Sequence, residues 1–477
     1  MKIFASKLSF KSDFMVTFLN GLIVIGGVFI LNGFISRVYG MEVLGEFLLV
    51  KRTFSALVGI LLLGMNVGLP NYLSRNFERT YGDNSFLLFL IFTIPATLST
   101  IGIILLADIN GFYFEYYWVY VVYSLGISAQ IITYGLYRGY INMIGANIFQ
   151  LLGTGAIPII IFSLVSNLYR SLFWIGIVTA IIMIFVFIIR NKGIQINEIK
   201  INIIKQIAKY GFERLPSFIA QFILLAGIPI FLAQSVNFES VAYFNSSFSL
   251  VRLSLLIVNP ISMILLPRVS NKIASGSKGD ISNILDILFK AGLVFSIVGT
   301  IFCYVYAPII LNSWLGEVNE LGIKILRLTI VSLPFYTLSG LARSPIDAAS
   351  EKGYNSIIYG IAAFVMLIII FIGEYLNYNL LFTALVSFLI SNAITAIGSI
   401  FYIKKLFNYK LWNLELIRDL IISSILICTI SWFSSLFPIP DLWKFLISGF
   451  LFLTISLIIF TYVKKGWLAN LKSRIYG

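Results

Sequence analysis

Runs of about 20 predominantly apolar residues recur along the whole chain, and no other feature narrows its folding choices as far. A helix of that length crosses the ~30 Å hydrocarbon core of a bilayer, and lipid offers no partner to an open backbone group, so each run has to be helical. The runs lie at roughly 14 to 36, 43 to 69, 85 to 107, 113 to 136, 141 to 165, 171 to 190, 211 to 235, 240 to 266, 287 to 311, 321 to 344, 355 to 376, 380 to 403, 416 to 436 and 443 to 463, about fourteen spans. With 59% hydrophobic and 11% charged residues and a mean hydropathy of +0.97, a soluble domain around one core is excluded. The expected fold class is all-α, integral to the membrane.

Basic residues in the connections alternate cleanly, and they are retained on the cytoplasmic side. One set of connections carries Lys2, Lys7 and Lys11, then Arg75 and Arg79, Arg138, the group Arg190, Lys192, Lys200, Lys205 and Lys209, then Arg268, Lys272 and Lys278. It continues with Arg343, Lys352, Lys404, Lys405, Lys410, Lys464, Lys465, Lys472 and Arg474, whereas the opposite set has only Arg37, Arg170 and Lys444 among acids such as Asp108, Glu239 and Glu374. Both termini are therefore expected in the cytoplasm. The net charge of +14 reflects this topology and attraction to anionic inner-leaflet lipid, not nucleic-acid binding. The first run follows a basic start but is too long for a signal peptide and lacks a small-residue cleavage site, so it reads as an uncleaved span.

Two spans about 200 residues apart carry a polar stripe with one arginine on it. In the first, Arg52, Ser55, Gly59 and Asn66 fall at offsets 0, 3, 7 and 14, one face of a helix, before Leu69-Pro70. In the second, Asn245, Ser249, Arg252 and Asn259 fall at 0, 4, 7 and 14, before Leu266-Pro267. A charge at such depth costs a few kcal/mol unless it faces protein or water, so both arginines mark a polar cavity between equivalent halves. Arg52 and Arg252 are therefore functional-site candidates by default. Lys51 either joins them, snorkels, or pairs with Glu46.

Other embedded polar groups have two readings each. Arg327, with Lys324, is a cavity cation or an interface anchor. Glu213, beside Arg214, is a gate pair or ion-coupling carboxylate, as is Glu46, or else a surface salt bridge. Asn147, Gln150 and Thr154, at offsets 0, 3 and 7, suit sugar hydroxyls or interhelical hydrogen bonds. Tyr113, Tyr116, Tyr117, Trp118, Tyr120 and Tyr123 form an aromatic belt or a stacking surface for sugars.

No connection exceeds roughly 20 residues, there is no histidine, and Cys303 and Cys428 lie in apolar helices as packing residues. No phosphate loop, metal cluster or nucleophile with a base is present, so neither an enzyme nor a cofactor or metal is expected. The longest connection, Asn191 to Tyr210, has isoleucines (Ile196, Ile199, Ile203, Ile207) spaced for an amphipathic surface helix. It divides the chain into residues 1–190, helices one to six, and 211–403, helices seven to twelve, with two extra helices in 404–477. Gly135-Leu136-Tyr137-Arg138 recurs as Gly340-Leu341-Ala342-Arg343, and Pro70 as Pro267. Six spans separate the matches, which makes the halves parallel repeats about an axis along the membrane normal.

The six plus six helices with two more, the Gly45-Glu46-Phe47 start of the second helix and the Gly-Leu-x-Arg helix ends resemble the multidrug/oligosaccharidyl-lipid/polysaccharide exporter superfamily, and within it Wzx-type O-antigen flippases. That resemblance implies a two-lobed fold with a cationic cavity, in which Arg52 and Arg252, with Lys51 and Arg327, are the leading contacts for an anionic diphosphate, since arginine supplies a permanently charged fork suited to phosphate oxygens. It also implies transport of an undecaprenyl-pyrophosphate-linked oligosaccharide across a bacterial inner membrane, with a polysaccharide polymerase and a chain-length regulator as partners. Lipid II flippases and multidrug exporters of the same superfamily are the alternatives. A cation exporter needs carboxylates deep in its lobes, whereas the deepest charges here are arginines.

Overall fold

The computed structural model describes residues 10–409 other than 77, 196–198, 257, 259–277, 317 and 350–352, together with 418, 421, 425, 429 and 449. Asn259, Pro260, Leu266-Pro267 and nearly all of the last two expected spans lie outside the described residues. The chain packs as two compact units, Met1–Ser249 with Asn355–Ile394, and Leu250–Tyr354 with Thr395–Gly477.

The first unit contains α1 (Phe10–Tyr39), α2 (Met41–Leu61), α3 (Met65–Asn76), α4 (Thr80–Leu88), α5 (Ile94–Leu106), α6 (Tyr117–Gly139), α7 (Met143–Leu151), α8 (Ile157–Leu164), α9 (Leu168–Arg190), α10 (Ile201–Ser235) and α11 (Phe238–Val251). The second contains a 3-10 turn at Arg252–Ser254, α12 (Lys278–Val305), α13 (Ala307–Leu315), α14 (Glu320–Ile330) and α15 (Leu333–Ala349). Then follow α16 (Tyr354–Tyr375), which belongs to the first unit from Asn355 on, and α17 (Leu380–Phe407), which passes from the first unit to the second. Among the described residues ten helices are long and apolar enough to cross a membrane, or eleven if α2 and α3 count as one bent span. The chain is a multi-pass membrane protein, helical over the described residues, and its described helices follow the order of the apolar runs.

Helix starts are set locally. Asn142, Asn167 and Asn319 cap α7, α9 and α14 by accepting from Gly145, Arg170 and Gly322 backbone N–H groups at 2.9, 3.0 and 2.9 Å. Pro95 and Pro158 sit just after π-helical turns at Phe89–Thr93 and Leu152–Ala156. A proline lacks the N–H for an ordinary turn, and the wider turn gives its ring room without ending the span.

The connections of the first unit gather at two ends. At one, the Tyr39 hydroxyl donates to the Phe162 carbonyl at 2.8 Å and the Asn110 N–H to Gln234 Oε1 at 2.8 Å. At the other, the basic end, Asn191 Nδ2 donates to the buried Asp83 at 2.8 Å and the Lys200 N–H to Asn84 Oδ1 at 2.9 Å, while Arg79 holds the Gly193 carbonyl at 3.0 Å. The segment after α9 is thus fastened to α4 at three backbone or side-chain points. The spacing of Ile203 and Ile207 reads as a membrane-surface helix, but both pack into the core of this unit, and α10 continues without interruption to Ser235.

The second span is broken. Leu63 (φ 46°) and Gly64 (φ 69°) take left-handed backbone angles, and α2 and α3 meet at 51°. Leucine pays about 1–2 kcal/mol in that region, so surrounding packing must impose it. Gly211 of α10 supplies that packing: a Cβ there would collide with the Leu63 carbonyl oxygen, and one on Gly64 would lie 2.9 Å from Gly211 Cα. In each unit the repeated Gly-Leu-x-Arg glycine is also a contact point. A Cβ on Gly135 would meet the Pro70 ring at 3.4 Å, and one on Gly340 would meet the Val258 side chain at 3.0 Å.

Candidate functional site

Arg52 lies eleven residues past Met41, about 16 Å along α2. Asn245 and Phe248 lie seven and ten residues past Phe238 on α11, and both helices begin at the same end of the first unit. There α2 approaches α11 closely at Gly45, where any Cβ would collide with the Phe238 carbonyl. Arg52 is seven residues past Gly45, as Asn245 is past Phe238, so the two stand at one level.

Its Nε donates to Asn245 Oδ1 at 3.2 Å, and its Cζ lies 5.1 Å over the Phe248 ring. The Asn245 amide is itself oriented, because its Nδ2 donates to the Val241 carbonyl one turn back at 3.1 Å and leaves Oδ1 for the arginine. Ser249 continues the stripe, donating to the Asn245 carbonyl at 2.8 Å. The arginine of the first stripe therefore meets the leading residue of the second, a juxtaposition that neither stripe reveals alone.

The other expected residues are dispersed. Lys51 Nζ lies 5.3 Å over the Phe47 ring, while Glu46 accepts from the Tyr169 hydroxyl at 3.3 Å. Tyr169 stacks on Tyr116 at 3.6 Å, with Tyr113 edge-on to both, so these tyrosines hold one another and Glu46. Burial, and next the Glu46 charge, raise the Tyr113 pKa above its ordinary value, and this loop phenol stays neutral at physiological pH. Asn66 is half-buried on α3 just past the break, and its Oδ1 is buried with no hydrogen-bond partner among the described residues. Asn147 is buried on α7; Gln150 accepts from Asn20 Nδ2 of α1 at 3.4 Å, and its carbonyl accepts from Thr154 one turn on in the same span at 2.7 Å.

Glu213 and Arg214 do not engage each other. Glu213 faces Lys209 at 3.9 Å across an exposed turn, a pairing worth at most about 1 kcal/mol, and Arg214 bonds and covers the Tyr210 ring. In the second unit, Arg252 is exposed in the 3-10 turn, and Arg327 Nε donates to the Tyr304 carbonyl at 3.2 Å with its guanidinium over that ring. Sequence reasoning missed Phe248, Tyr169 and the Asp83–Asn191 contact. Phe248 and Tyr169 read as ordinary apolar or belt residues, and only the pairing of distant helices gives them a role.

No protein-family model matches the chain, and no curated protein sequence matches it. Solved structures do match in fold. A lipid II flippase MurJ in an inward closed conformation superposes with a TM-score of 0.72 at 16% identity, over 93% of this chain and 98% of that one. An inward-facing multidrug resistance MATE family transporter of the MOP superfamily gives 0.61 at 16% identity, over 82% and 94%. A MATE protein in a bent conformation gives 0.57 at 17%, over 83% and 93%. The chain shares its fold with the MurJ flippase and MATE transporters.

Proposed function

We propose that the protein is a flippase that moves an undecaprenyl-pyrophosphate-linked oligosaccharide, an O-antigen or capsule repeat unit, to the outer leaflet of a bacterial inner membrane. Arg52, held about 16 Å into α2 by Asn245 and Phe248 of α11, is the observation that carries this reading. A diphosphate crossing a low-dielectric region needs a permanent cation with a directed fork, and a guanidinium fixed at that depth meets both needs. Helices one to six and seven to twelve act as parallel lobes whose rocking exposes the site to each side in turn, with both termini in the cytoplasm. Lys51 extends the positive field around Arg52, Asn66 and Ser249 line the path of the sugar, and Arg252 and Arg327 are further cationic contacts for the cargo.

Two acids set within the helices are already matched by cations and offer little to a cationic cargo. Asp83 lies 3.6 Å from Arg79, and Asp286 lies 2.7 Å from Lys290 and accepts from the Tyr409 hydroxyl at 3.2 Å, so each is already balanced by a cation. A lipid II flippase is the second reading, favoured by the MurJ fold, and it shares the polyprenyl-diphosphate chemistry.

A charge series at Arg252 tests the reading. Arg252→Lys should keep intermediate surface-polysaccharide display, because an ammonium retains the charge and loses the two-pronged geometry, while Arg252→Ala and Arg252→Glu should abolish display at equal membrane abundance. Wild-type display in Arg252→Glu would remove the case for an anionic substrate. Restoration of lipid II translocation, without polysaccharide display, in cells lacking their own lipid II flippase would favour the second reading.

A further inference from the structure

We infer that Arg190, resting on the rings of Tyr137 and Tyr140, is a binding site for the headgroup phosphate of an anionic phospholipid in the leaflet around the basic end of the first unit. The inference does not depend on what the protein transports.

α9 has 23 residues, about 35 Å of helix, so its ends reach the two headgroup layers of a bilayer whose hydrocarbon core is ~30 Å thick. Arg190 is the last of these residues. Lys192 and Gly193 then take left-handed backbone angles (57° and 89°) that end the helix and turn the chain toward α4. α9 packs against α6 and α8, whereas Trp174, Ile181, Phe185 and Ile189 form one exposed apolar face along it. In a bilayer that face meets acyl chains, and it runs up to the residue next to Arg190.

The guanidinium is placed there but not neutralised. Its Cζ lies 5.4 Å from the centre of the Tyr137 ring and 4.5 Å from that of Tyr140, contacts that use its flat face and not its N–H edge. Arg190 is half-buried, its Nε is buried without a hydrogen-bond partner, and among the described residues no carboxylate pairs with it. Asp83, the buried acid of this end, is engaged elsewhere: it accepts from Asn191 Nδ2 at 2.8 Å and from the Gln195 N–H at 3.2 Å, and lies 3.6 Å from Arg79. Arg138 is laid over a ring in the same way, 5.5 Å from the centre of Tyr134, and puts a second positive charge in the last turn of α6.

A cation drawn partly out of water without a counter-charge has lost hydration that nothing replaces, and a phosphate oxygen restores it with a charge-assisted hydrogen bond. At headgroup level such oxygens belong to phospholipid. A zwitterionic headgroup carries its own ammonium beside the phosphate, whereas an anionic one leaves the whole charge to the arginine. The two rings add position to charge: they hold the guanidinium against the end of α6, so a phosphate meets it at one place and not along the sweep of a free side chain.

The test uses the full-length protein with phosphatidylglycerol added in a phosphatidylcholine background, the retained lipid identified by native mass spectrometry and the apparent affinity read from a phosphatidylglycerol titration. The wild type should retain phosphatidylglycerol in preference, and Arg190→Gln should weaken its affinity about tenfold, the lower end for a hydrogen bond to a charged group. Lys205→Gln removes the same formal charge from an exposed position on α10 and should change the affinity far less. Tyr140→Phe keeps the ring and loses only the hydroxyl bond to Asn191, so it should bind as the wild type does, whereas Tyr140→Leu should weaken binding. Equal effects of Arg190→Gln and Lys205→Gln would mean diffuse attraction to a basic surface and overturn the inference, as would equal retention of the two lipids by the wild type. Displacement of phosphatidylglycerol by inorganic phosphate at matched ionic strength would show a site for any phosphate and overturn the lipid assignment. Melting curves keep misfolding apart from lost binding: phosphatidylglycerol should raise the melting temperature of the wild type and not that of Arg190→Gln, and an equal rise in both would reject the site. Arg190→Lys keeps the charge and loses the planar fork, so its affinity should fall between the two, and wild-type affinity there would reject the role of the rings.

Discussion

The contact between Arg52 and Asn245 can serve substrate or only hold α2 against α11, and the substitution Asn245→Asp separates these roles. A carboxylate there replaces the neutral acceptor of Arg52 at 3.2 Å by an ion pair, but it also loses the Nδ2 donor to the Val241 carbonyl at 3.1 Å in a fully buried position. It would also neutralise the arginine toward any incoming anion. If the contact only joins helices, transport by Asn245→Asp should fall no further than its folded fraction does. If Arg52 recognises a diphosphate, transport should collapse well beyond any loss of folded protein. A hydrogen bond to a charged group contributes about 1.5–3 kcal/mol, which at about 1.4 kcal/mol per tenfold corresponds to a ~10- to 150-fold slower rate for Arg52→Ala. Asn245→Ala removes one orienting contact and should cost less, about tenfold, and little further once Arg52 is already alanine, a coupling near 1 kcal/mol. Initial rates of polyprenyl-diphosphate oligosaccharide movement in proteoliposomes, with melting curves on the same preparations, give both quantities. Wild-type transport in Asn245→Asp would refute a substrate role for this arginine.

Two further outcomes follow from the packing of the first unit. Gly211→Ala places a methyl group against the Leu63 carbonyl, so α10 and the α2–α3 break must separate; overpacking of about 1–3 kcal/mol should lower the detergent melting temperature by several degrees, and an unchanged melting curve would show the approach is not required. Asp83→Ala removes the acceptor for Asn191 Nδ2 and the Gln195 N–H and leaves Arg79 without its carboxylate, so limited proteolysis should cut the segment 191–200 faster at unchanged overall helicity, whereas wild-type cleavage rates would show that these contacts do not hold it.

The spans were legible because hydropathy acts through length: about 20 apolar residues have one stable form in lipid, whatever their neighbours do. Breaks inside them were not. The run through Leu61–Leu62–Leu63 is as apolar as any, and its only warning is Gly64, a residue equally common in straight helices. The break is imposed from outside by Gly211, some 150 residues away, and no local propensity reports that. Prolines likewise act through their surroundings. Pro70 lies inside α3 and does not end it, while Pro95 and Pro158 act through the π turns that precede them.

The site shows the same division between local and distant causes. An arginine on a polar stripe is visible in sequence because lipid makes a buried charge expensive at that one position. The pairing is not visible, since Asn245 stands out only within its own stripe and Phe248 reads as one more apolar residue, and they meet the arginine only when α11 lies against α2. That approach in turn depends on Gly45, whose missing side chain lets the two helices meet beside Phe238. A bulkier residue at position 45 would push apart the starts of α2 and α11, and the Arg52–Asn245 distance should lengthen with them. Gly45→Val should therefore impair transport as Asn245→Ala does, without touching any charge, and adding Asn245→Ala to it should cost little more. Additive losses in the double variant would show that the glycine and the arginine site work independently.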